Sequence, residues 1–213
     1  MCETNLHEDL LDSDFQLPGY LPIHRKDSGH MHGLGVYVRS NLPIARELTL
    51  EDINESYMCF RLALLHSTTY IFFLYRSPSS ASCSVVEAVS CNIDKALTLQ
   101  PSANIMVCGD FNAHNTDWLS HSHITDVAGV SCHDFALAHD LTQIVDFPTR
   151  IPDREDHHSY LLDLFLCSNP DSCSVSSHPP LGKSDHKVVS VDVDYVVKAT
   201  NEHPYHRTVI QQN

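Results

Sequence analysis

Three short segments of this 213-residue chain carry residue types that hydrolytic chemistry uses. Cys108-Gly109-Asp110-Phe111-Asn112 places a carboxylate and a carboxamide two residues apart at the end of an apolar run, so both leave a strand end on the same side. A carboxylate there can take a proton from water while an amide donates to a phosphoryl oxygen, the two tasks set by hydrolysis of a phosphodiester. The tetrad Gly109-Asp110-Phe111-Asn112 within it also suits a strand followed by an Asx turn. Ser184-Asp185-His186 stands just before the apolar stretch 188–193. Its histidine can act as a general acid or donate to a transition-state oxygen, and its aspartate can bind a divalent cation. A histidine in that role needs a carboxylate behind it to set its tautomer and raise its pKa. Asp163, alone in Leu161-Leu162-Asp163-Leu164-Phe165-Leu166, is the candidate, because a carboxylate in so apolar a strand is costly unless paired. Pairing to an arginine or a turn would satisfy it equally well.

The elements that must position these residues are legible as runs of strand length. Residues 35–40, 59–65, 70–75, 105–109, 143–147, 161–167, 173–176 and 187–195 are apolar or alternating and mostly β-branched or aromatic. Ile71 to Leu74 and Ile105 to Val107 are continuous rather than alternating, which predicts strands covered on both faces. Ser84-Val85-Val86-Glu87 has the form of a capping box, and Val85, Val86, Val89, Ile93, Ala96 and Leu97 follow a helical period, predicting a helix over 84–98 closed by Pro101. A second, shorter helix is expected to open at Ser131. Residues 3–32 read as loop, and 201–213 have no core face. The whole is an α/β pattern.

Composition limits the function. Hydrophobic residues make up 42% and charged residues 19%, with 7 Gly and 11 Pro, which excludes a disordered or collagenous chain. Lys and Arg number 13 against 27 Asp and Glu, a net charge of -14, so a broad basic face that wraps nucleic acid is excluded and any phosphate site is local. The 16 His soften that charge below about pH 6.5. The 8 Cys include no CxxC pair, and Cys59, Cys108 and Cys167 sit in apolar runs, which points to reduced core thiols and a reducing compartment. No run reaches the roughly 18 apolar residues of a spanning helix, and no signal peptide is read at Met1. An intracellular location without membrane contact is expected. Gly182-Lys183-Ser184 lacks the leading glycine of a phosphate-binding loop, since Ser177 stands there, and the histidines around 121–139 lack carboxylates in a ligand pattern.

The order Gly-Asp-Phe-Asn, isolated strand Asp, then Ser-Asp-His before the last strand resembles the endonuclease/exonuclease/phosphatase superfamily. Within it the chain is most similar to the endonuclease domain of non-LTR retrotransposons, itself related to apurinic/apyrimidinic endonucleases. Glu3-Thr4 with Leu6, Leu17-Pro18-Gly19-Tyr20, His32-Gly33-Leu34-Gly35-Val36-Tyr37-Val38, Leu74-Tyr75-Arg76-Ser77-Pro78-Ser79 and Phe147-Pro148-Thr149-Arg150 carry the narrower likeness. The resemblance implies a domain over 1–195, a connector or tail over 196–213, and a four-layer α/β sandwich of two packed mixed sheets flanked by helices. The family's first strand and first helix have no counterpart before Glu3, so the domain is expected to be N-terminally incomplete, and Asn5 stands where the family has Trp.

By the same resemblance Glu3 and Asp185 bind Mg²⁺ or Mn²⁺, and Tyr75 sits beside the scissile phosphate. Asp110 orients or deprotonates water, Asn112 holds a phosphoryl oxygen, and Asp163 orients His186. The partner is DNA, nicked as in retrotransposition, which implies nuclear access. Tyr205-His206-Arg207-Thr208 resembles the start of a connector towards a reverse transcriptase, so the chain is expected to be part of a longer polyprotein. The alternatives are an inactive truncated remnant and a superfamily phosphatase acting on another phosphoester.

Overall fold

The computed structural model describes residues 2, 4, 6, 10–28, 32–80, 83–152, 158–194 and 207–211. In chain order the strands and α-helices are β1 (His24–Ser28), β2 (His32–Val36), β3 (Ile44–Arg46), β4 (Tyr57–Ala63), β5 (Thr68–Tyr75), α1 (Ser84–Leu99), β6 (Asn104–Asp110), α2 (Val127–Ala138), β7 (Thr142–Gln143), β8 (Asp163–Cys167), β9 (Cys173–His178), β10 (Val188–Val193) and β11 (Arg207–Gln211).

Six of the strands form one mixed sheet in the order β3-β4-β5-β6-β8-β7, with β5 and β6 parallel through the α1 crossover. The continuous apolar runs predicted as doubly covered strands are its centre. Along β4, Tyr57 and Cys59 enter the main core while Met58 and Phe60 enter a second one with Leu34, Val36 and Val38. Period-two alternation thus feeds two cores from one strand. On the first side lie the helices: α1 buries Val85, Val86, Val89, Ile93 and Ala96, and its Asn92 Nδ2 donates to the Tyr57 hydroxyl at 2.7 Å. On the second side the β1–β2 hairpin packs against β4 and β5 through Leu34 and Val36. A three-stranded sheet, β11-β10-β9, adds Val189, Val191 and Val193 to the main core.

The α/β sandwich is as expected, with differences of detail. Only the six-stranded sheet is mixed; the smaller sheets among the described residues are antiparallel. The capping box at Ser84 does not form. Cys83 is the N-cap and Ser84 is already helical, so its hydroxyl is in the wrong place to cap. Helix α2 opens at Val127 rather than Ser131, because the Asp126 carboxylate accepts from Gly129 N at 2.6 Å and from His114 N at 3.2 Å, capping the helix and tying it to the loop after β6. Of the expected 143–147 strand only Gln143 is in a strand, the two-residue β7. Residues 207–211, read from sequence as lacking a core face, pair with β10 as β11.

The sheet register builds the site. Tyr75 at the end of β5 pairs with Asp110 at the end of β6, and Asp110 pairs with Asp163 at the start of β8. The three therefore lie in one row across the sheet. Gly109, just before Asp110, has φ +152°, and a Cβ there would fall 1.8 Å from the Leu74 carbonyl oxygen. Backbone meets backbone at that point, so no side chain can move aside. Gly109→Ala is expected to cost more than about 4 kcal/mol, lowering the thermal midpoint by at least roughly 8 °C. Circular dichroism melting checks this, and an unchanged midpoint would exclude the close approach.

Candidate active site

Asp110, Asp163 and His186 are brought together, with one ligand-type atom from each within 4.8 Å of the others. Asp110 and Asp163 are buried, at 4% and 1% exposure. His186 enters from the start of β10, where Arg150 bridges it to Tyr160 near β8. Its Nδ1 donates to Asp163 Oδ2 at 2.8 Å, which leaves Nε2 for the reacting group. Burial alone would discharge this imidazole. The hydrogen bond and charge of Asp163, with the charges of Asp110 and Asp185, outweigh burial and raise its pKa to about 9.

Asn112 sits in a left-handed turn at φ 43°, a conformation asparagine tolerates. Its N–H donates to Asp110 Oδ1 at 3.1 Å, and its Nδ2 donates to the Arg76 carbonyl at 2.9 Å. The Asx turn that the tetrad allowed is therefore present, and it is what aims the two side chains. Asp185 is half-exposed and accepts from Arg150 Nε at 2.8 Å. Its burial would raise its pKa, but the bond and charge of Arg150, then the charge of His186, hold it below the usual carboxylate range. Tyr75 is buried against Cys2, Leu34, Val36, Met58 and Phe60. Glu3, which the resemblance makes a metal ligand, and Asn5 lie outside the described residues.

Two residues beyond the sequence reading complete the frame. Thr149 is 0% exposed, and its Oγ1 accepts from Leu162 N at 3.1 Å and Asp163 N at 2.9 Å. Strand β7 pairs with β8 only at Leu166 and Cys167, so this hydroxyl takes the place of a ladder carbonyl at the Asp163 end. The Thr149 carbonyl also accepts from Lys187 N at 2.7 Å, joining the strand of Asp163 to that of His186. Arg150 is the second, holding Asp185 by side chain while Ile151 N holds its carbonyl at 2.7 Å. The only signal was their place in Phe147-Pro148-Thr149-Arg150. Of the histidines of 121–139, His133 stacks on Trp118, and His139 bonds Ser90 Oγ at 2.7 Å.

Two carboxylates and a hydrogen-bonded imidazole thus stand together at the rim of a mixed sheet. The pattern of the endonuclease-reverse transcriptase family matches residues 69–190, more than half of the chain, and the chain belongs to that family. Among solved structures it is similar to the endonuclease domain of TRAS1, a telomere-specific non-LTR retrotransposon, at 15% identity and TM-score 0.65, covering 84% of this chain and 82% of that one. It is also similar to the 3′ phosphatase NExo from Neisseria, at 14% identity and TM-score 0.67, over 91% of this chain and 87% of that one. The Xenopus laevis APE2 catalytic domain matches at 14% identity and TM-score 0.62, over 100% of this chain and 83% of that one. At these identities the likeness is one of fold. No curated protein sequence matches the chain significantly. Among the described residues no helix is long and apolar enough to cross a membrane.

The clip and the dyad each carry a prediction. Thr149→Val keeps the shape but leaves two buried N–H groups without an acceptor, so it should destabilise by about 3 kcal/mol in urea unfolding, with Thr149→Ser close to the parent. Equal stability of Val and parent would exclude the clip. For His186, the folded pKa of about 9 exceeds the ordinary 6.5, so its stabilisation is whole below pH 6.5 and is lost as pH rises to about 9. In chelator, the stability gap between parent and His186→Gln should shrink by on the order of 3 kcal/mol from pH 6 to pH 9.5. A gap constant with pH would refute the pairing.

Proposed function

We propose that the chain is a divalent-metal-dependent endonuclease that nicks one strand of DNA, as in non-LTR retrotransposition. The observation that carries this reading is the meeting of His186 with Asp110 and Asp163, which share one row of the sheet, with Asn112 held beside them. Asp110 orients and deprotonates the attacking water. Asn112 donates to a non-bridging phosphoryl oxygen, and His186, kept charged by Asp163, stabilises the negative charge that develops in the transition state. Tyr75 borders the phosphate at the adjacent register position. The substrate class comes from the DNA-processing neighbours, and the link to a longer reverse-transcriptase polyprotein and access to the nucleus follow from the same reading.

The donor set fits a hard cation. Carboxylate oxygens dominate the cluster, and His186 Nδ1 is already committed to Asp163, so an oxygen-binding ion such as Mg²⁺ or Mn²⁺ suits it better than zinc. Asp110, with Glu3 and Asp185 by resemblance, would hold it. Such an ion, when bound, would supply Lewis-acid polarisation of the phosphoryl group and charge neutralisation at the leaving oxygen.

A second reading, hydrolysis of a small phosphoester, is favoured by the net charge of -14, which works against broad DNA contact. Nicking of supercoiled plasmid separates the two. The expected result is a Mg²⁺-dependent nick abolished by chelator, lowered at least 1,000-fold by Asp110→Ala or His186→Ala and about 100-fold by Asn112→Ala. Turnover of a small phosphoester without nicking would favour the second reading. Folded protein inert on both substrates would mark the chain as an inactive member of the family.

A further inference from the structure

The guanidinium of Arg76 is the least expected charge in the molecule. It follows Tyr75 directly and is only 6% exposed, yet among the described residues no carboxylate stands at ion-pair distance from it. Nη1 donates to the Asn112 carbonyl at 2.9 Å, and Nη2 donates to the Ser80 carbonyl at 2.6 Å. Nε is buried without a partner. Carbonyl dipoles solvate a cation but do not neutralise it, so a full positive charge stays buried beneath the turn that carries Asn112. Burying it without a counter-ion is costly, and such a cost is kept where the charge has a use.

Arg76 is also joined to that turn through its backbone. Its N–H donates to the Asp110 carbonyl at 2.9 Å, and its own carbonyl accepts from Asn112 Nδ2. The last bond settles how the carboxamide is oriented: the NH₂ group must face Arg76, and its second N–H is left to donate elsewhere. The rigid planar fork holds two separated carbonyls in a fixed geometry, which the flexible, compact ammonium of a lysine does not. The field of the buried cation reaches the neighbouring loop. His114 is held below the ordinary imidazole range mainly by burial, and the charges of Arg150 and Arg76 act in the same direction against Asp126.

We propose that Arg76 is the positioning residue of the phosphate site: it fixes the Asn112 carboxamide for a phosphoryl oxygen and supplies, from below, an unneutralised positive charge that draws the anion in. The proposal rests on the phosphodiesterase reading, and its test is arranged so that the two can fail separately. Arg76→Met removes charge and fork, whereas Arg76→Lys keeps the charge alone. With the full chain and Mg²⁺, Arg76→Met should lower kcat for plasmid nicking about 100-fold with KM within roughly 3-fold, and Arg76→Lys should recover part of the loss.

The second readout does not need turnover. Inorganic phosphate titrated into ¹⁵N-labelled protein should shift the Asn112 side-chain amide signals in the parent, weakly in Arg76→Lys and not at all in Arg76→Met. Folded Arg76→Met with parental kcat and a parental phosphate response would overturn the proposal. If Arg76→Met does not fold, Arg76→Lys decides: displaced Asn112 signals support the fork, and signals identical to the parent's overturn it. If the parent itself does not nick DNA, the phosphodiesterase reading fails, while the phosphate titration still decides for or against Arg76.

Discussion

Two buried carboxylates stand opposite each other on neighbouring strands, and the rest of the site is a response to that. Asp110 and Asp163 are paired by register between β6 and β8, each almost sealed from water. In a medium of low polarity, adjacent like charges repel strongly unless positive charge is brought close. His186 is brought there by β10 and takes the charge that the carboxylates require. A cation bound beside Asp110 would meet the same demand. The proposed phosphodiester hydrolysis, which needs a base and a positive group side by side, would use an arrangement that the electrostatics of the sheet already favour.

Such a register tolerates little slack, because slipping a strand by one residue turns its side chains to the opposite face. The fold fixes it with contacts that are mostly backbone. Gly109 lets β6 approach Leu74 closer than any other residue could, and Thr149 stands in for a missing strand at the start of β8. Asp126 ties the loop after Asn112 to the first turn of α2. None of these groups needs to touch a substrate. Each removes a freedom that would let Asp110, Asn112 or His186 drift out of line.

The sequence was most informative where burial and pattern agree. The runs that became β4, β5, β6 and β8 were legible because central strands must be apolar on both faces. Asp163 was legible as the partner of His186 because a lone carboxylate in such a strand requires one. The short polar strands β1 and β3 were not, since their pairing is decided by neighbours distant in sequence. The start of α2 was misplaced because Gly129 sits in its first turn, where a glycine argues against helix, yet a Cβ there would fall 1.9 Å from the His114 carbonyl oxygen. Thr149 gave no signal of its role. A hydroxyl that completes a sheet looks, in one dimension, like any loop threonine.

The charge balance bears on how the site can meet its substrate. With 27 acidic residues against 13 basic ones, the surface as a whole repels a polyanion. Among the described residues the cations near the dyad are committed: Arg150 to Asp185, His186 to Asp163, and Arg76 to backbone carbonyls of the Asn112 turn and Ser80. Of these, Arg76 alone carries a charge that no carboxylate among the described residues cancels at ion-pair distance. Attraction is therefore confined to the span of about one phosphate group rather than spread along a groove, since solvent screens exposed charges beyond roughly 8–10 Å. Were the chain to nick DNA as proposed, it would grip the scissile phosphate more firmly than its flanks, and a preference among DNA targets would come from shape and deformability rather than from counterion release.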